Sequence, residues 1–282
     1  MDRSGFSILL IVVTGCAIAL SPAIRHLWRD QRRKRLMADP FPSEWHTFLS
    51  ASWRLYDRLP ADIRRNLQGC VRVLLDEKRF EACGGLPEVS SEMRLLIAAQ
   101  AALLIAGRPE AEHRYYPDLV SILIYPGSFR DRGRRTFSLP EEQGEIRLGE
   151  SWASGTVVLS WHSVRRGAAG EHDGLNVVFH EFAHQIDQTG GGPDGTPGFD
   201  DPDDAAQWSA LFQDHFDELV DDVMEGRAPL LDEYGASNPA EFFAVSTEAF
   251  LERPREMARE MPDLYAALAD FYRLDPVQWK KC

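Results

Sequence analysis

The chain has 282 residues, 44% of them hydrophobic and 27% charged, with a formal net charge of −13, the profile of a folded globular protein with one large domain or two small ones. Residues 1–35 carry seven Lys/Arg and two Asp, so the rest holds 24 basic and 42 acidic side chains, a net −18. A body that acidic argues against nucleic acid as a partner and is repelled by anionic lipid.

Phe6 to Ile24 is a 19-residue run without charge. As a helix it would be about 28 Å long, close to the hydrocarbon thickness of a bilayer. Arg25, Arg29, Arg32, Arg33, Lys34 and Arg35 follow at once, whereas the leader holds only Arg3, offset by Asp2. The positive-inside rule then predicts a single transmembrane anchor over 1–24, a basic juxtamembrane linker over 25–40, and everything beyond on the cytoplasmic face of the inner membrane. Two export readings compete. The basic cluster opposes a cleaved signal peptide, and the chain after Val13-Thr14-Gly15-Cys16 stays apolar where a lipoprotein would turn polar. Cys16, Cys70, Cys83 and Cys282 lack metal-finger spacing, which fits a reducing compartment.

Beyond Pro42, Ser43 is a candidate cap for a helix from Glu44 to about Leu59, with Trp45, Phe48, Leu49, Trp53 and Tyr56 at helical spacing. Pro60 ends it, Ala61 to Leu75 reads as a second helix, and Ser90 or Ser91 caps a third over Glu92 to Ala106. From Leu119 the character changes. Leu119 to Tyr125 reads as a strand closed by Pro126-Gly127, Arg130 to Gln143 as a charged connection, and Ile146 to Glu150 and Thr156 to Trp161 as two more strands. A small sheet beside a helix would let an edge strand hold a peptide by β-addition. Gly190 to Asp204 is a Gly/Pro/Asp-rich loop whose aspartates lack EF-hand spacing. Helices then follow over Ala205 to Met224, Ala240 to Leu251 and roughly Pro262 to Leu274. The expected class is α+β, mostly helical, with 41–110 as a helical part and 111–282 as a catalytic core.

The chemistry concentrates in His180-Glu181-Phe182-Ala183-His184, inside an apolar stretch from Leu175 to Ile186. On a helix, positions i and i+4 share a face, so both imidazoles can point at one metal ion. Glu181 sits beside them, able to take a proton from a water; this is the arrangement of a zinc peptidase. A helix apolar nearly all round is buried, and buried histidines need partners, which an ion supplies.

Such a site needs a third ligand. The long pattern with a third histidine fails, because Gly190 occupies that position and Asp187 the glycine position. Candidates are Asp187, His215, Glu218, Glu241 and Glu248. Glu241 leads, because it opens an apolar helix whose N-terminus favours the ionised form. Glu248, two turns on, is a fallback ligand or a partner behind one. Asp187 could orient a ligand histidine through its other ring nitrogen, and His215 reads as part of an exposed helix face.

Six blocks carry a resemblance to a known family: FPSEWHTFL at 41–49, EKRFEACGGL at 77–86, YYPDLVSILIYPGSF at 115–129, LGESWASGTVVLSW at 148–161, NVVFHEFAHQID at 176–187 and YGASNPAEFFAVSTEAF at 234–250. Together they resemble the Mlc titration factor A family of bacterial zinc peptidases, and the motif helix with its later glutamate is similar to the anthrax lethal factor catalytic domain. The resemblance implies a zincin-like peptidase over 41–282, of gluzincin type, with Zn2+ on His180, His184 and Glu241. It implies Glu181 as general base and Tyr234 as an oxyanion or leaving-group partner. It further implies aminopeptidase activity on peptide or protein substrates, and a transcriptional repressor of the Mlc type as a partner. The alternative is a regulator-binding protein that sequesters such a repressor, its zinc site structural or vestigial. The membrane anchor departs from the soluble behaviour known in the family.

Overall fold

The computed structural model describes residues 27–109, 115–127, 155–170 and 174–279. The chain divides into two units, Met1–Pro40 and Phe41–Cys282. Of the first, a helix over 27–38 (α1) is described. The predicted transmembrane run from Phe6 to Ile24 lies outside the described residues, as do the predicted strand from Ile146 to Glu150 and the connection from Arg130 to Gln143. Among the described residues no helix is long and apolar enough to cross a membrane.

The second unit is mostly helical with one small sheet, as the α+β expectation has it. Three strands, β1 (Arg79–Ala82), β2 (Ser121–Tyr125) and β3 (Thr156–Ser160), pair in the order β1-β2-β3, all parallel. Phe80, Ile122 and Val157 share one register row, and Ala82, Ile124 and Leu159 another. Parallel neighbours need a crossover, and α4 (Ser91–Ala106) lies in the one between β1 and β2. Strand β1 was not expected; in Arg-Phe-Glu-Ala only Phe80 is buried, so its own pattern is too thin to announce it.

The long helix expected from Glu44 is shorter. It runs as α2 (Ser43–Ser52), preceded by Pro42 rather than capped by Ser43, and Trp53 is already extended. The cause is tertiary. The Arg54 backbone N–H donates to Ala168 O at 3.1 Å and its guanidinium to Gly170 O at 2.7 Å, while Trp53 and Tyr56 turn into the core. Ala168 belongs to an unexpected helix, α5 (Trp161–Ala169), which ends strand β3 one residue early. Ser160 caps it by accepting from Ser163 N.

The remaining helices are set by their caps. Helix α3 (Ala61–Glu77) follows Pro60, and α4 is capped by Ser90 accepting from Met93 N. The motif helix α6 (Val177–Asp187) is capped by Asn176. Helices α7 (Pro202–Met224), α8 (Pro239–Glu252), α9 (Pro254–Glu260) and α10 (Pro262–Tyr272) each start on proline, whose missing N–H costs nothing in a first turn. Helix α7 thus takes in the last three residues of the expected loop, with Asp201 as cap.

Helix α6 packs against α4, α5, α8 and β3. Its far end is fixed by a loop. Asp187 Oδ2 accepts from Gly195 N at 3.0 Å, and Trp208 Nε1 donates to Gly195 O at 3.0 Å. Gly195 has φ +80°, and a Cβ there would come within 2.5 Å of Pro239 O. Only glycine allows that approach, and it places the first residue of α8 beside the end of α6.

Candidate metal centre

Asn176 starts the motif helix by accepting from Val178 N at 3.1 Å and Phe179 N at 3.2 Å. Four residues on, His180 and His184 stand one turn apart with ring centroids 4.9 Å from each other and planes at 78°. Asn238 caps α8 by accepting from Glu241 N at 3.0 Å, which sets Glu241 in the first turn of that helix. The two helix starts thereby bring together residues 57 or more positions apart in sequence.

Glu241 Oε2 lies 3.0 Å from His180 Nε2 and 3.4 Å from His184 Nε2, and the two nitrogens are 3.2 Å apart. Around one ion with bonds of about 2.1 Å, tetrahedral donors are spaced by about 3.4 Å. The triangle fits that spacing, as three corners of a tetrahedron. Among the described residues this trio is the group of His, Cys, Asp or Glu side chains able to share an ion. Glu241 Oε2 is buried with the two imidazole nitrogens as its neighbours, an acceptor that a cation shared with them satisfies. His184 is fully buried, whereas 13% of the His180 side chain is exposed, so access is from the His180 side.

The electrostatics agree. Burial works against ionising Glu241, but bonding to His180 and His184 prevails and lowers its pKa to about 2. Burial also works against a charge on His180, yet Glu241 and Glu248 outweigh it and raise its pKa well above 6.5. His184 is lowered, chiefly by burial, and stays neutral. The site is one that concentrates positive charge.

The other predicted residues divide. Glu181 is 3% exposed on the motif helix. Tyr234, in the short turn Glu233–Ser237, donates to Glu241 Oε1 at 3.3 Å and has its ring 6.1 Å from that of His180. Burial first, and then the Glu241 charge, push the Tyr234 pKa up, so it remains a donor. Glu248 faces His180 Nδ1 at 2.8 Å, behind the ring and away from the trio. Asp187 meets Gly195, as described, rather than a ligand ring. His215 pairs with Asp263 at 3.0 Å and Glu218 at 3.2 Å on the surface of α7. Asn176, Gln100 and Glu252 had no assigned role from sequence. The Asn just before an apolar helix was the available signal for the first, and a lone amide inside the apolar run of α4 for the second.

Known proteins resemble this chain along most of its length. An uncharacterized protein of Synechocystis sp. is 34% identical over 253 residues, covering 89% of this chain and 90% of its own. Mlc titration factor A of Yersinia pestis and of Yersinia pseudotuberculosis is 29% identical over 264 residues, 90% of this chain and 91% of theirs. The resemblance to the Mlc titration factor A family therefore holds over nearly the whole chain. Residues 28–273 match the family of glucose-regulated metallo-peptidase M90, spanning the motif helix, Tyr234 and Glu241. The chain belongs to that metallo-peptidase family.

Proposed function

We propose that this chain is a zinc-dependent peptidase that hydrolyses peptide bonds at the centre formed by His180, His184 and Glu241. The observation that carries the reading is the triangle of Nε2, Nε2 and Oε2 with sides of 3.0 to 3.4 Å. Two imidazoles and one carboxylate with an open position are a donor set for catalytic zinc. An ion held there would supply Lewis-acid polarisation of a peptide carbonyl and a lowered pKa for the attacking water. Glu181 would accept a proton from the attacking water and pass it to the departing amine. Tyr234, protonated because burial and Glu241 oppose its ionisation, donates to the oxyanion as charge develops. Aminopeptidase specificity and gluzincin type rest on the resemblance to the Mlc titration factor A family. Comparing peptides with free and acetylated N-termini tests the specificity.

The decisive variant is Glu181→Gln, assayed for zinc content and peptide cleavage. Retained zinc with lost cleavage supports the assignment, and wild-type cleavage sinks it.

The uncharged run from Phe6 to Ile24 and the basic cluster after it support a site tethered to the cytoplasmic face of the membrane. A C-terminal reporter fusion active only in the cytoplasm, in the membrane fraction, is the expected result; a periplasmic or unanchored reporter contradicts it. The name of the Yersinia relatives, Mlc titration factor A, supports a second reading, a chain that captures a regulator of the Mlc type. Capture that survives loss of zinc and of Glu181 would separate that role from the peptidase.

A further inference from the structure

Helix α8, which brings Glu241 to the site, carries two more buried acids, Glu248 and Glu252, 4% and 9% exposed. Buried carboxylates require partners, and both find them at the start of the motif helix. The hydrogen-bond directions can be followed from the core inward. Gln100 is fully buried in α4, and its Nε2 donates to Leu96 O at 3.3 Å. Its Oε1 is then the acceptor for Asn176 Nδ2 at 2.9 Å, and the other Nδ2 hydrogen goes to Glu252 Oε1 at 3.0 Å. Asn176 Oδ1 accepts from Val178 N and Phe179 N. Both donors and both lone pairs of this amide are used, so its orientation is determined.

The backbone N–H of the same Asn176 donates to Glu248 Oε2 in a close contact. Glu248 Oε1 lies 2.8 Å from His180 Nδ1. A carboxylate oxygen there accepts, so a ring proton belongs on Nδ1, and Nε2 is the nitrogen turned toward Glu241 Oε2 and His184 Nε2, free to give its lone pair to an ion. Glu241 and Glu248, two turns apart on one helix, thus bracket a single imidazole with different tasks. Glu241 Oε2 faces the Nε2 atoms of both histidines and can share an ion with them. Both oxygens of Glu248 are engaged.

We propose that Glu248 is a positioning residue for the metal site, fixing the tautomer and aim of His180 while holding the cap of the motif helix, with Asn176, Gln100 and Glu252 as its frame. The proposal rests on the reading of His180, His184 and Glu241 as metal ligands. One carboxylate joins the backbone register at Asn176 to the ring at His180, so the ligand is fixed relative to its helix and to α8 together.

Glu248→Gln tests it with almost no change of shape. Gln has one acceptor oxygen, which the Asn176 N–H requires. Its amide nitrogen, a donor only, then faces Nδ1 and drives the ring proton to Nε2, where it blocks the ion. Chelator-stripped wild type, Glu248→Gln and Glu248→Asp are titrated with zinc against a chromophoric competitor, and the metal-free forms are melted. The expected result is one ion per wild-type chain and a roughly 10- to 100-fold weaker affinity in Glu248→Gln, with partial recovery in Glu248→Asp. The melting midpoint should move little, which separates aiming from simple scaffolding. Equal affinity in wild type and Glu248→Gln overturns this proposal alone; a wild type that takes up no zinc overturns the metal reading beneath it. Should Glu248→Gln fail to fold, the Nδ1 proton of His180 in 15N-histidine-labelled, zinc-loaded wild type decides. A downfield, slowly exchanging Nδ1–H, as a hydrogen bond to Glu248 requires, is expected, and a freely exchanging one overturns the proposal.

Discussion

Helices α4 and α8 are both buried and both pack against the motif helix, yet they are built differently. From Leu95 to Ala106, α4 buries twelve consecutive residues, of which only Gln100 is polar. From Ala240 to Glu252, α8 buries thirteen, including Glu241, Ser246, Thr247, Glu248 and Glu252. An apolar wall is stabilised by area and close packing alone. Buried acids are tolerated only against specific partners, and those partners are His180, His184 and Asn176. The difference teaches where to look for chemistry in a helical protein: in the helix whose burial is hardest to justify by packing. It also separates two kinds of damage, since substitutions in the polar arrangement should cost function and those in the wall should cost stability.

The largest expected effect breaks function with the fold intact. Glu181→Gln should lower kcat by roughly 10²- to 10⁴-fold, the usual worth of a positioned general base, with zinc stoichiometry and melting unchanged. A comparable loss of melting temperature would make Glu181 a structural residue instead.

Next is the converse in the wall. Leu103 is fully buried in α4, and Leu103→Ala should cost about 2–5 kcal/mol in denaturant unfolding. Zinc affinity of the folded protein should stay at the wild-type value. An affinity loss in step with the stability loss would erase the distinction between the two helices.

Tyr234→Phe removes one hydroxyl at the edge of the site. A fall in kcat of about 10²-fold with KM nearly unchanged is expected for an oxyanion donor, and an unchanged kcat would leave its contact with Glu241 as a packing detail.

The smallest effect sharpens the burial argument. Asp187 is fully buried, and burial raises its pKa from 3.8 to about 7. With the folded pKa above the unfolded one, the group's contribution is fully present below the lower value and is lost as pH rises through the upper. Wild-type stability should therefore fall with pH across that window. Asp187→Asn, which carries no charge to bury, should gain on wild type as pH rises through that window. Parallel pH–stability curves would show that Asp187 ionises without penalty.

How much of this was legible in the sequence follows from the range of each interaction. His180, Glu181 and His184 are a local pattern at helical spacing, and Glu241 betrayed itself as a lone acid opening an apolar helix. Asn176 and Gln100 meet across 76 residues, and no periodicity encodes that. The same holds for Asp187, whose one-turn spacing from His184 suggested a ring partner. The Gly195 N–H lay nearer to its carboxylate than any spacing argument could tell. The helix expected through Leu59 stopped at Ser52 because the chain at Arg54 bonds to α5, a tertiary demand that overrides local propensity. Strand β1 exists because β2 offers it a ladder, not because Arg-Phe-Glu-Ala favours extension.

The central claim is that His180, His184 and Glu241 hold one catalytic ion. Zinc titration of the chelator-stripped chain, wild type beside Glu241→Ala, tests it most directly. The account predicts one tightly bound ion per wild-type chain and its loss from the variant with the fold retained. No stoichiometric uptake by wild type, or undiminished uptake by Glu241→Ala, would contradict it.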